Sequence, residues 1–139
     1  MLQMFPLLAV SLVVYAILTF TTGTANTAWY DTQFLTIPMM SGDNWVVTGG
    51  HLFIVFSMVL LFIELLRSTK TGTASIMNHA FSVLVFIVAL LLFIMMQGFG
   101  NSVFFIYMSM TFLDFMAGFI VTTVTARRDL AVGGVGVGN

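Results

Sequence analysis

Between Lys70 and Arg127 this chain carries one charged side chain, Asp114, set in the stretch TFLDFMAGFIV. Hydrophobic residues make up 60% of the 139 residues and charged ones 6%, against roughly a quarter charged in soluble domains. A soluble fold of this size could not cover so much apolar surface, so lipid is the expected solvent for most of the protein. A transmembrane helix takes about 20 apolar residues, and four segments qualify, at about 2–21, 45–66, 76–97 and 102–126. The expected fold is an all-α integral membrane four-helix bundle forming one domain over 1–139. A long outer loop at 22–44 and a flexible tail at 130–139, ending AVGGVGVGN, complete it.

Four positive charges orient this map. Arg67 and Lys70 lie in RSTKTGTAS between the second and third spans, and Arg127 and Arg128 follow the fourth. Lys and Arg concentrate on cytoplasmic loops, so both termini are expected in the cytoplasm, with Asp31 and Asp43 outside. The first span lacks the positive flank of a signal peptide and is expected to be a retained helix. Trp29, Tyr30 and Trp45 suit the membrane interface. The outer loop is expected to lie along the outer leaflet, with a lid or docking surface as the alternative.

Composition and spacing exclude several chemistries. A net charge of −1 leaves no electrostatic footprint for nucleic acid. The absence of cysteine removes disulfides, thiolate metal sites and thiol nucleophiles. The pairs Met39-Met40 and Met95-Met96 have no His or Cys beside them to make a copper route. His51 and His79 fall at opposite ends of successive spans, so they cannot be paired haem ligands. No Glu-x-x-His, Gly-rich phosphate loop or GxSxG occurs. No catalytic residue, cofactor or metal is expected, and the chain is expected to be non-enzymatic.

The polar residues inside the spans recur at helical spacing. The fourth span aligns Tyr107, Thr111, Asp114, Gly118, Thr122 and Thr125. The second aligns Gly50, Ser57 and Glu64, the first Ser11, Tyr15, Thr19 and Thr22, and the third His79, Ser82 and Ala89. Lipid cannot hydrogen-bond these groups, so the stripes should face one another, with Gly50 and Gly118 allowing close helix packing.

Antiparallel register then predicts three layers. The inner holds Glu64, His79 and Thr122, with Arg67, Asn78, Arg127 and Arg128 in reach. The middle holds Asp114, Ser57, Ser11 and Tyr15, and the outer holds His51, Tyr107 and Thr19. Glu64 is expected to pair with Arg67 on its own helix. Asp114 lies about 20 Å from Arg127 along a helix, and an aspartate at mid-span costs about 2.5–3.5 kcal/mol. It is expected either to tie helices together or to bind a proton or small cation.

The segments FIELLRSTKTGTASIMNHAFSVLVFIV and FLDFMAGFIVTTVTARRDL carry a resemblance. The chain over about 50–130 resembles a group of small four-span inner-membrane proteins of α-proteobacteria. The matching residues are Glu64, Arg67, His79, Asp114, Gly118, Arg127, Arg128 and Asp129. The resemblance implies four spans and a bacterial inner membrane, and no activity. The expected function is a membrane subunit that packs into a homo-oligomer or a larger membrane complex. A proton or cation pathway through Asp114 and the binding of a lipid or quinone beside the outer loop are the alternatives.

Overall fold

The computed structural model describes residues 5–22, 28–68 and 73–133. Its elements are helix α1 (Leu7–Thr21), strands β1 (Gln33–Pro38) and β2 (Asn44–Thr48), and helices α2 (Gly49–Ser68), α3 (Thr73–Met95) and α4 (Ser102–Gly133). A short 3-10 turn at Trp29–Asp31 precedes β1. The fold is thus mostly helical, but not all-α as expected, because β1 and β2 pair antiparallel within the segment expected as an outer loop. Gln33–Pro38 carries β-favouring Phe34, Thr36 and Ile37, has an irregularity in its pairing between Gln33 and Leu35, and is followed by a turn where Gly42 adopts φ +91°. The turn closes through Met39 N–H to Asp43 O at 2.8 Å and Ser41 Oγ to Asp43 Oδ2 at 3.1 Å.

The hairpin moves a boundary. α2 starts at Gly49 rather than near residue 45, since Trp45–Thr48 is ladder. Thr48 then starts the helix: its Oγ1 accepts the His51 N–H at 3.4 Å, while His51 Nδ1 accepts the Thr48 N–H at 3.1 Å. This reciprocal pair satisfies orphan donors as a capping box does, with His in place of Glu.

Three helices are long and apolar enough to cross a membrane, over Gly49–Arg67, Met77–Met95 and Ser102–Val121. α1 is shorter, at 15 residues, because it begins only after Pro6, which is held extended (φ −65°, ψ 127°). It rises about 22 Å, against about 35 Å for α3 at 1.5 Å per residue. Its other end is fixed beside the α3–α4 turn, where Tyr15 Oη donates to Gly98 O at 3.2 Å. The N-terminus of α1 therefore lies inside the bundle, where Pro6 and Leu8 are buried.

α4 packs along both α2 and α3, and α1 packs on α2 and reaches α3. α4 continues to Gly133, four residues into the segment expected as tail; residues 134–139 lie outside the described ones. At the hairpin end the core is aromatic. Tyr15 is fully buried, with the rings of Phe104, Trp29, Phe53 and Phe99 centred 4.7 to 5.3 Å from its own. Asn101 joins this cluster to α4: its Nδ2 donates to Tyr15 Oη at 2.7 Å, and its Oδ1 accepts the Phe104 N–H at 3.0 Å. The outside is apolar, with Phe62, Leu91, Ile94, Phe105 and Phe119 each at least half exposed.

Asn101 performs two tasks that substitution can separate. Asn101→Ala removes a helix N-cap, a loss of about 1–2 kcal/mol, together with the Tyr15 bond. Asn101→Asp keeps the cap acceptor and loses the amide donor, which serves both Tyr15 Oη and, at 3.1 Å, the Gly98 carbonyl. Unfolding midpoints in detergent are expected to fall in the order wild type, Asn101→Asp, Asn101→Ala.

Candidate functional site

Below the aromatic layer the buried side chains turn polar. Ser11, Ser57, Glu64, Asn78, His79, Ser82, Thr111 and Asp114 are all buried, on all four helices. Glu64 organises them. Its Oε2 accepts the Leu8 N–H at 3.2 Å, its Oε1 accepts from Asn78 Nδ2 at 3.2 Å, and the Leu7 N–H faces the same carboxylate. The first N–H groups of any helix lack partners within it. Pro6 offers no side-chain acceptor, so a carboxylate from α2 supplies it. The Leu8 carbonyl in turn accepts from Tyr107 Oη at 2.7 Å, bringing α4 to the same point.

Asp114 stands on the α3 side. Ser82 is its hydrogen-bonding neighbour, His79 is close enough to act on it electrostatically, and Asp114 in turn acts electrostatically on Glu64. Ser82 Oγ also donates to the Asn78 carbonyl at 3.2 Å. Gly118, one turn beyond Asp114, makes room for His79; a Cβ there would overlap the imidazole ring. Gly50 allows a similar approach at the hairpin end, where a Cβ would come 2.6 Å from Val103 Cγ2. Two fully buried hydroxyls, Ser11 Oγ and Ser57 Oγ, have no hydrogen-bond partner among the described residues.

Several residues stand elsewhere than their expected layers. Glu64 is buried and caps α1, whereas Arg67 is exposed, so the expected pair on one helix gives way to a bond between helices. Asp114 joins Glu64 and His79 rather than a separate middle layer, because its α3 neighbour is Ser82, one turn from the Val85 expected level with it. Tyr15 moves from the middle layer to the aromatic end, where its hydroxyl reaches the α3–α4 turn. His51 is exposed at the start of α2 and takes no part in the interior. Thr19 accepts from Trp29 Nε1 at 3.1 Å. Arg127 is exposed, while Lys70 and the side chains of Thr122 and Arg128 lie outside the described residues.

The α1 main chain and Asn101 were missed as partners. Pro6 was the available signal, since proline marks a helix start.

Among the described residues no group of three or more His, Cys, Asp or Glu could hold a metal ion. A second feature lies at the hairpin end. Val14, Leu18, Trp29, Phe34, Leu52 and Phe56 line a groove of about 570 Å³ between α1, β1 and α2. Its polar groups are already engaged: Thr22 and Thr32 hydroxyls donate to the Leu18 and Ala28 carbonyls, and Trp29 Nε1 to Thr19. No protein family, curated protein or solved structure matches the chain.

The His79–Gly118 contact makes a two-site prediction. Gly118→Ala overpacks the site and is expected to cost about 1–3 kcal/mol. The cost should shrink in a His79→Ala background, where the obstructing ring is gone. Unfolding midpoints of the four variants in one detergent measure the coupling; equal costs in both backgrounds would refute it.

Proposed function

We propose that this chain is a non-enzymatic subunit of a bacterial inner membrane that packs into a homo-oligomer or a larger membrane complex. The hairpin carries this reading. Phe34, Leu35, Met39, Met40 and Trp45 are each more than half exposed, on a two-stranded sheet too small to bury them. Such a ribbon is marginal alone in water, and large apolar surface rimmed by polar groups marks an interaction site.

In this reading the four helices cross the bilayer with both termini cytoplasmic. Exposed Arg67 and Arg127 support that direction, since α2 and α4 both run from the hairpin end toward the α2–α3 connection. α1 makes the first crossing, with Phe5 stacked on Phe81 below the start of the helix. The hairpin then stands on the outer face, where Asp31 and Asp43 also lie.

Native mass of the gently solubilised protein tests this. An assembly larger than one chain is expected, and the double variant Leu35→Glu with Met40→Glu should dissociate it while leaving helicity unchanged. A wild-type protein that runs as a single chain without companions would defeat the proposal.

The groove supports a second reading, the binding of one hydrocarbon chain of a lipid. Its walls offer apolar side chains and no uncommitted polar side chain, which suits an acyl or prenyl tail rather than a quinone head. Its volume lies within the range of about 300–1,000 Å³ usual for ligand sites. Leu52→Trp should fill it and lower the lipid that remains bound through purification, as counted by mass spectrometry. Unchanged lipid content in a folded Leu52→Trp protein would remove this reading.

A further inference from the structure

The register of the hairpin decides which of its main-chain groups are free. Met39 N–H donates to Asp43 O at 2.8 Å, the last bond before the turn. Opposed residues in an antiparallel ladder alternate between pairs that exchange hydrogen bonds and pairs that do not. Counting back from Met39, Ile37 and Leu35 are the residues bonded to Trp45 and Val47. Pro38 and Thr36 lie opposite Asn44 and Val46 in the unbonded pairs. The N–H and C=O groups of Asn44 and Val46 therefore point away from β1. Thr48 shares their side of the strand, and its N–H leaves the ribbon for His51 Nδ1. No turn, cap or loop bond uses the Asn44 or Val46 main chain among the described residues. β1 is the strand paired with β2, and its other edge has none.

An open strand edge is a template for another strand, and natural edges are blunted by proline or by charge. The free side of β1 is blunted in this way. Pro38 has no N–H to give, and Thr32 and Phe34 line the groove against α2. β2 reads NWVVT, with neither proline nor charge.

We propose that β2 is the contact between two copies of this chain, paired antiparallel with itself about a two-fold axis at Val46. The pairing rests on the reading that the chain assembles with others, and fixes the surface and the partner. Antiparallel strands are self-complementary, as a two-fold contact requires. Val46 exchanges both of its bonds with Val46 of the second copy. Half-exposed Trp45 comes opposite Val47 of the second copy, on the apolar face that Leu35 and Ile37 share. Asp43 falls opposite Gly49 of the second copy, where α2 begins and presents its positive end. The two Asp43 side chains stand at opposite ends of the paired strands, so like charges do not meet. A two-stranded ribbon is marginal and needs further strands with an apolar face to become stable; the pair makes four.

The chain contains no cysteine, so single cysteines report the pairing in the purified full chain in mild detergent. Val46→Cys should give a disulfide-linked dimer on oxidation with copper phenanthroline. Bonded antiparallel partners have Cα atoms about 5.5 Å apart, within disulfide range. Thr36→Cys lies on the same face one strand further out and should give none. Three strand spacings put it about 14 Å from its copy. Val46→Pro removes the outward N–H and keeps the bonds to β1. It should turn a two-chain native mass into a single-chain one with helicity unchanged. Suppose instead that the wild type assembles, Val46→Cys fails to cross-link and Val46→Pro keeps the assembly. That result overturns the pairing and leaves the assembly standing. A wild type that runs as one chain overturns both and leaves the hairpin to lipid.

Discussion

The bond from the Leu8 N–H to Glu64 is the constraint on which the rest of the structure turns. A helix that begins inside a bundle brings unsatisfied N–H groups and a positive end with it. In hydrocarbon each unsatisfied group costs several kcal/mol, and Pro6 has no side-chain acceptor to offer. A carboxylate from α2 meets both needs. The missing cap on α1 and the buried acid on α2 are therefore one fact seen from two helices.

Consequences spread outward from that point. Asn78 holds the second oxygen of Glu64 and so places α3, and Tyr107 holds the Leu8 carbonyl and so places α4. Asp114 and Ser82 then come together across α3 and α4, with His79 seated against Gly118. Toward the hairpin end hydrogen bonding gives way to ring packing around Tyr15, and Asn101 fastens that layer to the start of α4. The polar interior and the aromatic layer share the α1 backbone as their common strut.

Much of this was legible residue by residue. The spacing of Tyr107, Thr111, Asp114 and Gly118 placed them on one face, and all four are buried. Ser57 and Glu64, and Ser11 and Tyr15, were likewise marked as interior faces and are buried. Depth was harder to read. Register arithmetic placed Asp114 a turn from its neighbour Ser82 and separated it from Glu64, because it took no account of how far a glutamate side chain reaches along the bundle. The hairpin is not legible in the sequence because Gln33–Pro38 and Asn44–Thr48 are short and neither alternates polar with apolar residues.

The sequence by itself determined that the chain is mostly apolar helix, with three helices long enough to cross a membrane, and which face of each is polar, because these follow from composition and from 3.6-residue periodicity. It also marked Gly118 as a point of close approach. Only the tertiary structure decided that Glu64 faces a helix end instead of Arg67, that His51 stays outside, and that β1 and β2 pair. The reason is physical: periodicity sets the direction of a side chain around its own axis, while its partner depends on where a neighbouring chain begins.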